Sequence, residues 1–547
     1  MAETWDVIIV GAGSSGCVLA GRLSEDPSLR VLLIEAGPMD RNPLIRMPKG
    51  LAKLLSDPRQ AYYYPAQRKG SAANGPPEII LRGRGLGGSS SVNGMVYHRG
   101  QQADYDEWEA LGLPGWGWKD VLPAFMAMED NPLPPTEWRG RGGAIPLRVA
   151  RSVPPLGQAM IDAAMDMGLA YKEESNLPEQ KGIGPVTENI DWLSRRMSSA
   201  HAFLPPSARR RRNLRILTDC RTDRVLLDGT RATGVECTRD GKTETYHASR
   251  TVILCAGAIE SPRLLQVSGI GPASYLSSVG IKVVADVPGV GGNYRDHLCY
   301  LASWRLKHPH DSENREYQGW RLALSGIKYY GFRKGPLSTG SAQLAIFPEV
   351  LPGNTGRADA EFVWGPWSLS SKPTQDGATA LEDEPGCSFS GFPLRGTSQG
   401  SVRTQSADPS APLLIEPNYL DTDYDQAVML GIVRYTKALM SHPRLARFLV
   451  DELPETRSLQ NDDEIIDHVL RYGVSAPHAC GTCKMGPQDE PTAVLDERLA
   501  VRGIGGLRVA DCSVMPLQVS ANTNGPAMMI GWKLAEMIKA ELSAERA

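Results

Sequence analysis

The chain opens on an apolar run, Trp5-Asp-Val-Ile-Ile-Val10, which leads directly into Gly11-Ala-Gly-Ser-Ser-Gly16. A helix-like apolar stretch continues to Leu23, and a second apolar run, Val31-Leu-Leu-Ile34, follows it. This order predicts a strand, a glycine turn, a helix and a second strand. A βαβ unit of this kind belongs to a parallel sheet, so the sequence predicts an α/β fold.

The glycine turn is typical of a dinucleotide-binding site. Gly11 permits a tight turn, Gly13 lets the backbone approach a pyrophosphate, and Gly16 lets the helix pack closely on the strand. Glu35 ends the second strand, 19 residues after Gly16, where a carboxylate can accept hydrogen bonds from an adenosine ribose. Because NAD and FAD enzymes share this fingerprint, a nicotinamide-dependent dehydrogenase stays open at this point.

A second glycine-rich segment lies further along the chain. Arg82-Gly-Arg-Gly-Leu-Gly-Gly-Ser-Ser-Ser-Val-Asn-Gly94 holds five glycines and three serines. Backbone without bulky side chains can approach a second flat or anionic group closely, and this favours a flavin over a nicotinamide. The alternative interpretation of this composition is a flexible surface loop.

Composition limits the class of protein. The 59 basic and 62 acidic side chains leave a formal charge of −3, so no global field favours nucleic acid or an anionic membrane. No run reaches the roughly 18 to 20 apolar residues needed to cross a bilayer, and Trp5 to Val10 is too short for a signal-peptide core. Nine cysteines in a chain of this length are typical of reduced, buried thiols. We therefore expect a cytoplasmic globular protein with a small ligand, without nucleic acid, metal or transmembrane anchoring.

The rest of the chain contains further segments that are predicted to form strands and helices. Residues 301–459 alternate aromatic-rich runs, such as Leu344 to Val350 and Ala360 to Trp364, with Pro-rich polar stretches such as Ser370 to Pro385. This pattern predicts a separate antiparallel sheet. Apolar spacing predicts helices over Asp421 to Met440 and Ala527 to Leu542. Strand-like runs lie at Leu214 to Leu217, Val225 to Leu227, Thr251 to Leu254, Val283 to Val284 and Leu507 to Val509.

At this point the sequence resembles the glucose-methanol-choline (GMC) family of FAD oxidoreductases, from Asp6 to Ile538. Gly83 to Asp106 resembles the first family signature, and Gly257 to Gly271 resembles the second position by position. Pro288-Gly-Val-Gly-Gly-Asn-Tyr-Arg-Asp-His297 and the stretch from His478 to Asn524 complete the family's order. The resemblance implies two lobes: a Rossmann-type FAD domain and a substrate domain built on a six-stranded antiparallel sheet.

The implied domain bounds are discontinuous. Residues 1–300 would form mainly the FAD domain, with some segments between about 145 and 205 joining the substrate lobe. Residues 301–465 would form the substrate domain, and residues 466–547 would return to the FAD domain with the catalytic groups.

The resemblance also implies which residues bind FAD. The expected set is Gly11, Gly13, Ser14, Ser15, Gly16, Glu35, Ala36, Gly87, Gly88, Ser89, Asn93, Gly94, Val96, Ala256, Gly257 and Asp511. Some family members attach FAD covalently through a histidine just before the Asn of the first signature. Here that position is Val92, so we expect non-covalent FAD.

Oxidation of an alcohol through a flavin requires a base for the hydroxyl proton and a path for hydride to flavin N5. Histidine suits the base, because its pKa of about 6.5 allows it to be neutral before the reaction and cationic after it. His478 matches the family's catalytic base, and Asn524 aligns best as the partner that hydrogen-bonds the alcohol oxygen. Asn522, two residues earlier, is the alternative alignment. Pro477 and Ala479 depart from the residues that flank this histidine in many relatives.

We therefore expect oxidation of a primary alcohol to the aldehyde, with oxygen, a quinone or a dye-like compound as acceptor. A hydroxynitrile-lyase-like enzyme of the same fold is the alternative, and a non-catalytic flavin-binding protein is a third possibility. Aryl, furanic, polyether, sugar and aryl propanediol substrates stay open, with a preference for aryl or furanic primary alcohols. The sequence shows no motif assignable to a choline cation, and Val96 to His98 and Leu344 to Trp367 are candidates for shaping the substrate pocket.

Overall fold

The computed structural model describes residues 4–75, 77–150, 153–351, 353, 356–369 and 381–546. Its helices are α1 (Ser14–Leu23), α2 (Leu51–Leu54), α3 (Gln102–Ala110), α4 (Trp118–Met128), α5 (Pro155–Asp166), α6 (Ser199–Phe203), α7 (Pro206–Arg209), α8 (Gly257–Val267), α9 (Ala273–Ser278), α10 (Gly319–Phe332), α11 (Asp423–Met440), α12 (Pro454–Arg457), α13 (Asp462–Tyr472) and α14 (Asn524–Arg546).

Its strands are β1 (Thr4–Val10), β2 (Val31–Ile34), β3 (Ala61–Ala66), β4 (Glu78–Gly83), β5 (Glu129–Asp130), β6 (Ile145–Pro146), β7 (Arg148–Val149), β8 (Gly182–Pro185), β9 (Thr187–Glu188), β10 (Leu214–Leu217), β11 (Cys220–Asp228), β12 (Arg231–Arg239), β13 (Lys242–Leu254), β14 (Ile270–Gly271), β15 (Ala285–Asp286), β16 (Leu298–Leu306), β17 (Leu344–Phe347), β18 (Ala360–Gly365), β19 (Gly386–Pro393), β20 (Ser401–Thr404), β21 (Leu413–Glu416), β22 (Leu449–Glu452), β23 (Val474–Ser475) and β24 (Leu507–Val509).

The first sheet is built on parallel strands from distant parts of the chain. Its order is β10-β2-β1-β13-β12-β11, and β24 also pairs with β13. Val7–Val10 pair in parallel with Val31–Ile34 on one side and with residues 251–254 on the other. These segments are almost entirely buried, as a parallel sheet covered on both faces requires. The sheet therefore has the α/β architecture predicted from the opening residues.

The second sheet is antiparallel and has its own core. Its order is β22-β16-β19-β18-β17-β8, and β23 pairs with the start of β16. The six strands of this path match the expected sheet, and β23 is an addition to it. Helix α11 begins at a Thr422 cap, which accepts from the N–H of Asp425, and packs its buried side chains against β19.

Most elements that the sequence predicts coincide with observed ones, with a few differences. Residues 283–284 precede a strand rather than form one, because the pairing with β14 begins at Ala285. Helix α14 begins at Asn524, three residues before the predicted start, since Pro526 can occupy the first turn of a helix. Within the polar stretch from Ser370 to Pro385, residues 370–380 lie outside the described residues. Strand β8, from the segment 145–205, forms an edge of the second sheet.

In the described part of the chain no helix is long and apolar enough to cross a membrane, and no group of three or more His, Cys, Asp or Glu side chains is arranged to hold a metal ion. All nine cysteines are free and buried. Cys480 and Cys483 are thus reduced thiols inside the core rather than a disulfide.

Candidate active site

The carboxyl ends of four parallel strands meet at one edge of the first sheet. Strand β1 leads to Gly11, β2 leads to Glu35, β13 leads to residues 255–257, and β24 leads to Asp511. In an open α/β sheet this edge is where ligands bind. A long cavity lies here, and it runs from Glu35 at one end to His478 and Asn522 at the other.

Close backbone contacts fix the shape of this cavity. Gly11 has φ of +98°, which favours glycine, and a Cβ added to Gly16 would overlap the carbonyl oxygen of Gly11. Gly88 lies so near Gly13 that its added Cβ would be 2.7 Å from the Gly13 Cα. The first turn of α1 and the segment around Gly88 therefore form a cradle of bare backbone, which fits a pyrophosphate at a helix N-terminus.

Glu35 is buried and held in one orientation. Its carboxylate accepts from the backbone N–H groups of Ala12 (2.9 Å), Gly37 (2.8 Å) and Gly85 (3.0 Å). Burial raises the pKa of Glu35, while these three N–H groups lower it. The side chain thus ties the first glycine turn to the second glycine-rich segment while it lines the cavity.

The structure brings most of the predicted site residues to the cavity wall. Those that line it are Gly11, Gly13, Ser14, Ser15, Glu35, Ala36, Gly88, Ser89, Asn93, Gly94, Val96, Ala256, Gly257, His478, Asp511 and Asn524. Gly16 and Gly87 do not line it. Gly16 packs against Gly11, and Gly87, at φ of +97°, donates its N–H to the Ala12 carbonyl. These two glycines therefore allow the close backbone packing behind the cavity wall.

Sequence reasoning missed other parts of the lining. The hairpin of β3 and β4 contributes Tyr62, Tyr64 and Arg82, and the start of β11 contributes residues 220–222. Ser341 also lines the cavity, whereas the strands between Leu344 and Trp367 contribute no lining residue. These residues carry no motif, and only the pairing of distant strands brings them to the site.

Two histidines lie side by side at the far end of the cavity. Strand β23 pairs antiparallel with the start of β16, which places His478, just after β23, beside His297, just before β16. The Nδ1 atoms of His297 and His478 are 2.9 Å apart. The Asp296 carboxylate accepts from the backbone N–H of both His297 (2.9 Å) and His478 (2.8 Å), and so fixes their relative position.

The partner of His478 is Asn522 rather than Asn524. Asn522 Nδ2 lies 3.1 Å from His478 Nε2, whereas Asn524 Oδ1 accepts from Ser14 Oγ at 2.7 Å. The correction has a structural cause: α14 begins at Asn524, so this side chain faces α1, and the loop before α14 turns Asn522 toward the histidine. The alternative alignment is the one the geometry supports.

The hydrogen bonds define the tautomers of both histidines. A carbonyl oxygen only accepts, so His297 Nε2, 3.1 Å from the Leu394 carbonyl, carries a hydrogen. Neutral His297 then has a bare Nδ1, and His478 Nδ1 must donate to it. His478 Nε2 therefore carries the lone pair, which accepts from Asn522 Nδ2 at the cavity wall.

Burial keeps both rings neutral. It lowers the pKa of His297 to about 4. It also lowers the pKa of His478 well below the usual range, and the neighbouring His297, Arg82 and His98 lower this pKa further. Both histidines are therefore uncharged near pH 7, which the tautomer assignment requires.

Two buried polar atoms at the site have no hydrogen-bond partner in the described structure: Asn522 Oδ1 and Asn524 Nδ2. Buried polar groups are rarely left unpaired, so these atoms indicate a bound group that would satisfy them. Both residues line the cavity. Together with the backbone cradle, these unpaired atoms fit a bound dinucleotide, which the cradle and the two asparagines would hold.

Two family models, both described as GMC oxidoreductase, match residues 5–299 and 396–531 of the chain. The chain belongs to the GMC oxidoreductases. It therefore has FAD as its cofactor and acts on CH–OH groups.

Individual relatives cover nearly the whole chain. The mitochondrial choline dehydrogenase of Homo sapiens is 37% identical over 98% of this chain and 90% of its own length. The oxygen-dependent choline dehydrogenase of Rhizobium rhizogenes is 36% identical over 97% and 95%. Among solved structures, pyridoxine 4-oxidase from Mesorbium loti is 31% identical with a TM-score of 0.86, over 98% of this chain and 99% of its own. Aspergillus oryzae formate oxidase is 26% identical with a TM-score of 0.89, over 99% of both chains.

Substitutions of Gly13 and Gly16, two of the three glycines of the first turn, should cause different defects. A Cβ on Gly13 would meet only the Cys255 carbonyl, at 3.8 Å, whereas a Cβ on Gly16 would overlap backbone. We expect Gly13→Ala to keep the thermal stability of the FAD-free protein but to lose most of the bound flavin. We expect Gly16→Ala to lose both. Thermal melts of the FAD-free proteins and flavin absorbance after FAD loading measure the two effects. A Gly13→Ala protein with a full complement of FAD would contradict the assignment of this turn to the pyrophosphate.

Proposed function

We propose that this GMC oxidoreductase oxidises a neutral primary alcohol to the aldehyde, with His478 Nε2 as the base that takes the hydroxyl proton. The observation that carries the proposal is the tautomer chain from Leu394 through His297 to His478, since it leaves the lone pair of Nε2 directed into the cavity. Bound FAD supplies the acceptor for the hydride.

The residues around Nε2 have separate roles in this proposal. Asn522 Nδ2 donates to the alcohol oxygen and stabilises the negative charge that develops there. His297 is a positioning residue, because its bare Nδ1 holds the hydrogen of His478 on Nδ1 and keeps Nε2 unprotonated. Asp296 holds the backbone of both histidines. The lowered pKa of His478 keeps it in the neutral form that can accept a proton.

The asparagine pair offers a matched test of these roles. We expect His478→Ala and Asn522→Ala to lower the rate of flavin reduction by alcohol, per bound flavin, by about 10² to 10⁴ and 10² to 10³ respectively. Asn524→Ala, which removes the contact with Ser14, should leave this rate within about threefold and cost about 1 kcal/mol of stability. Anaerobic stopped-flow reduction measures the rates. An Asn524→Ala protein as slow as the Asn522→Ala protein would return the partner role to Asn524.

We also propose that FAD is bound without a covalent link. Val92 lines the cavity at the position where some relatives carry the attaching histidine, and its side chain has no nucleophile. Acid precipitation of the purified protein should release all the flavin absorbance into the supernatant. Yellow colour that stays in the washed pellet would show a covalent bond to another residue.

The cavity wall favours an uncharged substrate over a cation. Among the described lining residues, the carboxyl groups belong to Glu35, Glu260 and Asp511. Glu35 accepts from three backbone N–H groups, Glu260 pairs with Arg263 and accepts from Tyr64 OH at 2.8 Å, and Asp511 accepts from the N–H of Gly257 and from Ser261. Each is engaged with protein donors. A cation placed beside His478 would therefore lack a free carboxylate on the wall.

Glu361, a fully buried acid, lies 3.3 Å from His98 Nδ1, and neither of its carboxylate oxygens has a hydrogen-bond partner in the described structure. Neither Glu361 nor His98 lines the cavity. Burying a cation without a paired anion costs several kcal/mol. Although two of the relatives are named for choline, the wall supports a neutral alcohol better than a quaternary ammonium.

A pair of nearly isosteric alcohols separates these two substrate classes. Choline and 3,3-dimethylbutan-1-ol have the same shape, but only choline is charged. We expect the neutral alcohol to reduce the flavin with a second-order rate constant at least about tenfold higher, a difference of about 1.4 kcal/mol. Anaerobic bleaching of the flavin at a series of concentrations measures both constants. Faster reduction by choline would assign the site to a cationic substrate, and bleaching by neither would require a wider panel of aryl and furanic alcohols.

We propose a cytoplasmic location, because all nine thiols are free. Oxygen, a quinone and a dye-like acceptor are all compatible with the site. Parallel assays of hydrogen peroxide formation and of dye reduction after the same alcohol pulse distinguish an oxidase from a dehydrogenase.

A further inference from the structure

Helix α10 lies on the surface of the protein and buries very little of itself. Its only buried side chains are Ser325 and Tyr329, and Tyr329 packs with Met47 and Leu337. Six of the 17 large apolar side chains that are exposed in the described structure lie on this helix. They are Trp320 (71% exposed), Leu322 (41%), Leu324 (37%), Ile327 (64%), Tyr330 (54%) and Phe332 (72%).

The apolar side chains of α10 form a face directed away from the protein. Trp320, Leu324 and Ile327 follow each other at spacings of four and three residues, so they lie on one side of the helix, opposite Tyr329. A helix on the surface of a water-soluble protein turns its apolar stripe toward the core. Helix α10 has the reverse orientation, and its exposed face therefore indicates a binding surface.

The charged residues of α10 and of the two positions after it have one sign. Residues 319–334 contain Arg321, Lys328, Arg333 and Lys334 and no acidic residue, although the whole chain carries a net charge of −3. Arg321 is paired with Glu316 outside the helix, and Arg333 lies over the ring of Tyr329. Aromatic and aliphatic side chains on one face, flanked by basic residues, are typical of helices that lie in the interface of an anionic bilayer.

A second copy of the chain is the other candidate for this surface. A two-fold interface places the same patch of each copy against the other. The basic residues that flank α10 would then face each other, and like charges across an interface oppose association. An anionic membrane surface accepts both the apolar side chains and the positive charge.

We propose that α10 docks this protein on an anionic lipid bilayer as a peripheral interfacial helix. A short stretch of chain joins the docking helix to the cavity wall. From Phe332 the chain reaches Ser341, which lines the cavity, within nine residues, and the adjoining Gly340 donates its N–H to Glu188 at 2.6 Å. The proposal does not depend on which alcohol the enzyme oxidises.

Co-sedimentation of the FAD-loaded protein with vesicles tests the proposal. We expect binding to vesicles of phosphatidylglycerol and phosphatidylcholine, weaker binding to phosphatidylcholine alone, and loss of the difference in high salt. The double variant Trp320→Ser/Ile327→Ser should lower the partition coefficient about tenfold or more, because it removes the two most exposed side chains of the central face. The same variant should keep its flavin and its turnover with a soluble acceptor.

A matched control removes equally exposed apolar side chains elsewhere. Val450 on β22 and Tyr472 on α13 are 60% and 66% exposed, and Val450→Ser/Tyr472→Ser should bind vesicles like the unaltered protein. Absence of vesicle binding by the unaltered protein would overturn the proposal, as would equal binding by the two double variants. A dimer that the Trp320→Ser/Ile327→Ser variant abolishes, without vesicle binding, would assign the helix to self-association instead.

Discussion

The crossing of α1 and α14 is the contact on which the site depends, because it joins the two ends of the chain. Ser15 Oγ donates to the Ala527 carbonyl at 2.6 Å, and a Cβ added to Gly531 would lie 2.7 Å from the Ser15 carbonyl oxygen. Such a close approach requires a small residue on each helix. The same crossing fixes the start of α14, where Asn524 accepts from Ser14, and thereby the direction of the loop that carries Asn522.

The antiparallel sheet, which forms the second lobe, positions the two histidines of the site through backbone pairing. Strand β23 joins the antiparallel sheet at β16, and this register places the two histidines in contact. The tautomer of His478 is then set by a carbonyl of the segment after β19, through His297. The protonation pattern of the base thus depends on elements of both lobes.

The opening βαβ unit and a separate antiparallel sheet could be predicted from the sequence, because glycine spacing and apolar periodicity are local properties. Most of the predicted cavity-lining residues, in contrast, are implied by the family resemblance. The asparagine that contacts His478 could not be chosen in this way. Asn522 and Asn524 are two residues apart in the same motif, and only the start of α14 decides which of them faces His478. The tautomer chain and the lining of β11 likewise depend on contacts between residues about 100 or more positions apart. The orientation of α10 could not be predicted either. The periodicity of its sequence indicates an apolar face but does not show whether that face points toward the protein.

Burial at the far end of the cavity has two consequences with one physical cause. Desolvation lowers the pKa values of His297 and His478 because it opposes any positive charge there. The same desolvation opposes the positive charge of a cationic substrate, unless a carboxylate compensates it. The carboxylates of the described lining residues are already hydrogen-bonded to donors of the protein. The environment that keeps the base neutral therefore also disfavours cations. The neutral state of the base and the preference for an uncharged alcohol therefore follow together from the burial of one pair of histidines.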